Sequence, residues 1–186
     1  WSGDFYTSSD VHPILGQALA KQARQLDAIL GHPDPFTVVE MGPGKGLLAK
    51  HFLSACRVNQ DDSFSRRLRY VLIERSPAMQ ELQRQNLLHG LCEPGRITWL
   101  EGLNSLAEYS VTGLLFSNEL PDAFPVHRIQ IEQGQAQEIC VDFDGTTFVE
   151  CLRPLSSPAI QQYLTNLKLS LPDGYQTEIN TRSEER

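Results

Sequence analysis

Four residues at alternate positions, Glu40, Gly42, Gly44 and Gly46, stand between the β-branched run Thr37-Val38-Val39 and an apolar series, Leu47, Leu48, Phe52 and Leu53, at helical spacing. Glycine takes positive φ and carries no Cβ, so a small ligand can approach the main chain itself. The helix that follows leaves its first N–H groups unpaired and directed at the same place. The spacing excludes two common ligand classes. A dinucleotide pyrophosphate calls for Gly-x-Gly-x-x-Gly and a P-loop ends in Gly-Lys-Ser/Thr, whereas this loop reads Glu-x-Gly-x-Gly-x-Gly. A carboxylate just ahead of the glycines would repel a phosphate. It suits a cation such as a sulfonium with its amino acid ammonium group.

Glu74 is the second candidate. It closes the apolar run Tyr70-Val71-Leu72-Ile73, and an acid at the end of a second strand sits beside the glycine loop of a doubly wound sheet, where it can accept both hydroxyls of a ribose. Hydrogen bonds to a charged group contribute about 1.5 to 3 kcal/mol each. The same acid would serve NAD, so an NAD-linked oxidoreductase is an alternative that only the glycine spacing disfavours. A surface ion pair of Glu74 with Arg69 or Arg75 is the non-functional alternative. The third set is Asn118, Glu119 and Asp122, within Ser117-Asn118-Glu119-Leu120-Pro121-Asp122-Ala123-Phe124-Pro125-Val126. It follows a fourth apolar run and so projects at the carboxyl edge of the sheet, where ligands bind in open α/β folds. The alternative there is a turn capped by Asp122, with Glu119 accepting backbone N–H groups.

The elements that must position these groups alternate. A helix is expected from Asp10, its cap, to about Leu30, with Val11, Ile14, Leu15, Leu19, Leu26 and Ile29 on its apolar face. Strand one and its glycines follow, then a helix to about Arg57 and a polar loop over 59–65. Strand two covers Arg69 to Glu74, and Ser76 and Pro77 open a helix that Gly90 ends. Arg96–Leu100 and Gly113–Ser117 read as strands three and four. Strands alternating with helices imply parallel βαβ units with right-handed crossovers. After Pro125 the texture becomes antiparallel, with strands over Val126–Glu132, Glu138–Phe143 and Thr146–Leu152. Gln133-Gly134-Gln135 joins the first two, and Asp144-Gly145, a type I′ signal, joins the last two. Ser157-Pro158 opens a short helix toward Leu169. The fold expected is α/β, a Rossmann-like parallel sheet with an appended antiparallel meander: a single domain over 1–186 with 126–152 as an insertion.

Composition narrows the partners. The chain has 186 residues, 40% of them hydrophobic and 21% charged, with a formal charge of -7. That charge disfavours nucleic acid, because counterion release from a phosphate backbone needs basic side chains. No run approaches a membrane span. Cys56, Cys92, Cys140 and Cys151 are scattered without a Cys-x-x-Cys pair, which suggests reduced cysteines in an intracellular protein and no metal site.

Three segments together carry a resemblance. The Glu40–Gly46 loop is similar to motif I of the S-adenosylmethionine-dependent methyltransferases. Gly3-Asp4-Phe5-Tyr6-Thr7-Ser8, this loop, and Ser117-Asn118-Glu119-Leu120 with Asp122-Ala123-x-Pro125-Val126 occur in the same order in the MidA-like methyltransferases. That family includes a mitochondrial complex I assembly factor that methylates arginine. The resemblance covers essentially the whole chain. It implies a class I methyltransferase sheet, incomplete within this chain, whose remaining strands are expected after Arg186. It also implies S-adenosylmethionine held by Glu40, Gly42, Gly44, Gly46 and Glu74, with Thr7 and Ser8 closing over it, and Asn118, Glu119 and Asp122 facing the acceptor. Carboxylates can hold a guanidinium in bidentate fashion and draw its charge away from the reacting nitrogen. The implied partner is a protein bearing the arginine. The implied compartment is the cytoplasm, or the mitochondrial matrix in a eukaryote. A non-catalytic assembly factor that keeps the cofactor site is the alternative. Leu120-Pro121 departs from the pair the family commonly carries.

Overall fold

The computed structural model describes residues 11–57, 63–87 and 95–181. They fall in two compact units, residues 1–120 and 121–186. In the first unit the elements are α1 (Ile14–Ile29), β1 (Phe36–Met41), α2 (Leu47–Cys56), α3 (Ser63–Arg67), β2 (Leu68–Ile73), α4 (Pro77–Leu87), β3 (Ile97–Leu100) and β4 (Gly113–Ser117). The four strands form one sheet in the order β3-β2-β1-β4, and every pairing is parallel. In β1 the residues Phe36 through Glu40 are all buried, as expected of an inner strand covered on both faces.

The pleat sorts alternate residues onto two cores. Phe36, Val38, Tyr70 and Leu72 pack with Ala20 and Ala23 of α1, Ala49, Phe52 and Leu53 of α2, and Leu87 of α4. Val39, Val71 and Ile73 face the other way, with Met41, Leu100, Leu106 and Val111 around them.

Two expectations change here. The buried face of α1 is Gly16, Ala20, Ala23 and Asp27, whereas Val11, Ile14 and Ile29 are largely exposed. Close approach decides this, since a Cβ on Gly16 would stand 2.5 Å from His51 Cβ and 2.8 Å from the Phe52 amide nitrogen of α2. Asp27 is buried because Arg67 donates to both of its carboxylate oxygens, at 2.7 and 2.9 Å. The polar loop expected over 59–65 ends instead in α3. Phe64 is the cause, for it is buried edge-on against Phe36. The Asp10 cap and the Gly90 stop lie outside the described residues.

The second unit holds β5 (His127–Glu132), β6 (Gln135–Phe143), β7 (Phe148–Arg153), α5 (Pro158–Leu167) and β8 (Gln176–Ile179). Its sheet runs β7-β6-β5-β8 and is antiparallel throughout. Ile129, Ile160 and Ile179 make its core. The fourth strand, β8, was not legible in a four-residue polar stretch. The two turns also exchange roles. Glu132 pairs with Gln135, leaving Gln133 and Gly134 with φ of 50° and 75°, the positive pair a type I′ turn demands. At the expected site Phe143 pairs with Phe148, so the loop has four residues. There the Asp144 side chain accepts from the amides of Thr146 and Thr147.

Candidate functional site

At the carboxyl end of the parallel sheet Met41 pairs with Ile73 on one side and with Ser117 on the other. The segments after β1, β2 and β4 therefore leave the sheet side by side. The Gly42 amide donates to the Ile73 carbonyl at 3.2 Å, and the Glu74 amide to Leu100 at 2.8 Å. Gly42, Gly44 and Gly46 all have positive φ, at 65°, 51° and 77°, and Gly46 caps α2 in the left-handed region. Gly42 and Gly44 are exposed. A Cβ on Gly44 would meet nothing within 4 Å, while one on Gly46 would press on Gln83 Cγ at 3.2 Å. The loop thus presents bare main chain outward and is packed tight from beneath.

What supports it from beneath is Gln83, with none of its surface exposed. Its amide nitrogen donates to the Gly44 carbonyl at 2.7 Å and to Glu74 Oε2 at 3.3 Å, and its oxygen accepts from Trp99 Nε1 at 2.9 Å. Glu74 Oε1 accepts from the Ser76 amide at 2.8 Å. A carboxylate oxygen has two lone pairs, so each oxygen of this half-buried acid keeps one open to a further donor. Sequence reasoning singled out Glu74 and did not reach Gln83. The available signal was position, because Gln83 lies four residues from both Met79 and Leu87 and so falls on the inward face of α4.

Glu40 takes a different place from the glycines. Alternation along β1 turns its side chain inward beside Val38, and it is 2% exposed. Tyr70 donates its hydroxyl to Glu40 Oε2 at 2.7 Å. Burial pushes the Glu40 carboxyl up to about 7 against the opposing effect of that hydrogen bond, and burial with the nearby carboxylate holds Tyr70 well above its ordinary value. Near neutrality Glu40 is thus poised between neutral and charged forms, one strand residue before the loop's own turn.

On the β4 side Asn118 is half-buried and Glu119 exposed. Glu119 holds φ of 56°, a conformation that costs a non-glycine residue about 1 to 2 kcal/mol. Leu120 lies over Gly42, its Cδ1 standing 2.7 Å from where a Cβ would be. The structure therefore brings Gly42, Gly44, Gly46, Glu74, Asn118 and Glu119 to one edge of the first unit. Asp122 belongs to the second unit, exposed on the short turn Pro121–Ala123. Thr7 and Ser8 lie outside the described residues. No described helix is long and apolar enough to cross a membrane.

A family model described as "putative S-adenosyl-L-methionine-dependent methyltransferase" matches residues 15–186. The chain is similar to the protein arginine methyltransferase NDUFAF7 homolog, mitochondrial, of Drosophila melanogaster, with 29% identity over 75% of this chain and 35% of that one. It is also similar to the protein arginine methyltransferase NDUFAF7, mitochondrial, of Mus musculus, with 27% identity over 84% of this chain and 40% of that one. The chain thus spans about a third of the length of the curated relatives it matches. Among solved structures, a Burkholderia thailandensis protein bound to S-adenosyl-homocysteine superposes with a TM-score of 0.71 at 27% identity. That match covers 96% of this chain and 43% of the other.

Proposed function

Because the chain belongs to the S-adenosyl-L-methionine-dependent methyltransferase family whose model matches residues 15–186, we propose that it binds S-adenosyl-L-methionine on the glycine loop. As part of a longer protein it would transfer the methyl group to an arginine of a partner protein. The observation that carries the reading is the bare main chain at Gly44, open outward and tied through Gln83 to the half-buried acid Glu74. When bound, the cofactor supplies a methyl group on a sulfonium. The chain's part is positioning and water exclusion, which suffice for an in-line displacement.

Gly42, Gly44 and Gly46 cradle the amino acid end, and Glu74 accepts the ribose hydroxyls. Glu40, behind the loop, would supply the negative charge that suits a sulfonium and an ammonium group, and Thr7 and Ser8 are proposed as further residues holding the donor. Asn118 and Glu119 face the acceptor, and Asp122 is proposed as an acceptor-side carboxylate. The partner proposed is a protein in respiratory complex assembly, in the cytoplasm or, in a eukaryote, the mitochondrial matrix. Residues 126–152 are proposed as an insertion, within the single domain 1–186, that carries partner specificity.

Calorimetry of the purified chain with S-adenosyl-L-methionine, S-adenosyl-homocysteine and NAD tests the cofactor half of the reading. Binding of the first two without NAD is expected, and NAD binding alone would overturn it. Transfer to arginine is read with the full-length enzyme, by mass spectrometry of an arginine peptide.

A further inference from the structure

In the antiparallel sheet Cys140 of β6 stands directly opposite Cys151 of β7, and both thiols are free and half-buried. Directly opposed residues of an antiparallel pair share a face of the sheet, with Cα atoms about 4.5 to 5.5 Å apart. A disulfide asks for a Cα separation of about 4.4 to 6.8 Å, so the bond can form without a strand slipping. Neither cysteine belongs to the apolar core of this unit, which is built on Ile129, Ile160 and Ile179. Packing is therefore not what calls for sulfur at both positions.

A third residue spans the pair. Arg153, two residues along β7 from Cys151, donates to Asp142 Oδ2 at 2.7 Å. Asp142 lies two residues along β6 from Cys140. The guanidinium thus reaches from the β7 side to the β6 side, across the thiol pair, with its own charge balanced by Asp142. The attacking species in thiol exchange is the thiolate.

We propose that Cys140 and Cys151 are a reversible dithiol–disulfide pair, oxidised by a low-molecular-weight disulfide, that cross-links the edge strand β7 to β6. The Cys151 thiolate attacks one sulfur of the small disulfide, whose S–S bond breaks and whose other half leaves as a thiolate and takes up a proton. The Cys140 thiol gives up its proton and attacks the Cys151 sulfur of the mixed disulfide, displacing the second small thiol. The two cysteines lose two electrons and two protons, and one small disulfide becomes two small thiols. The inference is independent of the methyltransferase reading, because it concerns a different sheet.

The test equilibrates the chain in glutathione buffers from reducing to oxidising and reads linkage by mass spectrometry of non-reduced peptides. A Cys140–Cys151 link that dithiothreitol reverses is expected. It should persist in a Cys56→Ser, Cys92→Ser variant and be lost in Cys140→Ser and in Cys151→Ser. Cys140→Ser should instead trap one glutathione on Cys151. Two free or doubly glutathionylated thiols in the most oxidising buffer would overturn the proposal, as would a link that pairs either cysteine with Cys56 or Cys92.

Discussion

Gln83 on α4 donates its amide hydrogen to the Gly44 carbonyl at 2.7 Å, so the tip of the glycine loop hangs on a side chain thirty-nine residues away in sequence. The same nitrogen reaches Glu74, which fixes the distance between loop and acid. Replacing Gln83 by Leu keeps the volume but strands the Trp99 N–H and the Gly44 carbonyl, each about 1 to 3 kcal/mol when left without a partner. We expect lower stability in urea and a weakening of S-adenosyl-homocysteine binding by about tenfold to a hundredfold. Unchanged affinity in calorimetry would show that the tie does not set the loop.

Gly44→Val separates folding from binding. The open space above Gly44 lets a branched side chain stand without a clash in the free protein, at a backbone cost of about 1 to 2 kcal/mol for positive φ. That side chain fills the place assigned to the donor. A folded variant by circular dichroism with no measurable S-adenosyl-L-methionine binding is the expected result; a folded variant with native affinity would remove the donor from this loop.

Glu40 makes stability depend on pH in a stated direction. Its carboxyl is raised from 4.5 to about 7, so the folded state holds a proton that the unfolded chain has released. Its contribution is fully present below pH 4.5 and is lost as pH rises through 7, a change of about 3 kcal/mol. Glu40→Gln keeps an acceptor for Tyr70 and cannot titrate. Urea unfolding of both proteins at about pH 5 and about pH 8 should show the gap between them shifting toward the variant at high pH. Parallel curves would mean that Glu40 does not titrate in this window.

Glu119→Gln with Asp122→Asn tests the acceptor side in the full-length enzyme. Both changes keep shape and remove charge, and each charge-assisted bond lost weakens the hold on a guanidinium by about 1.5 to 3 kcal/mol. Methyl transfer should fall about tenfold to a hundredfold for each, with cofactor affinity unchanged. Normal turnover by the double variant would leave both residues as turn formers.

Gly16→Ala concerns only the scaffold. The added methyl meets His51 Cβ at 2.5 Å and the Phe52 backbone at 2.8 Å, and α2 can yield only by moving. A loss of about 1 to 3 kcal/mol is expected in urea. A neutral or stabilised variant would show that the two helices are not held at that distance.

The sequence by itself determined the strand, loop and helix around Gly42, Gly44 and Gly46, the acid at the end of β2 and the parallel direction of the first four strands. These are local signals: positive φ reserved for glycine, apolar runs of strand length, and Pro77 at a helix start. The antiparallel region was legible for the same reason, and Ser157 caps α5 by accepting from the Ala159 amide. What only the tertiary structure decided depends on residues far apart in the chain. The buried face of α1 follows α2 through Gly16, and α3 forms because Phe64 finds Phe36. β8 exists because β5 offers it an edge, and Glu40 turns inward to Tyr70 because the pleat of β1 leaves it no other side. Gln83 is marked locally only as inward-facing, by its spacing to Met79 and Leu87, and not by its task, since its three partners, Gly44, Glu74 and Trp99, meet it only when four separate segments have packed.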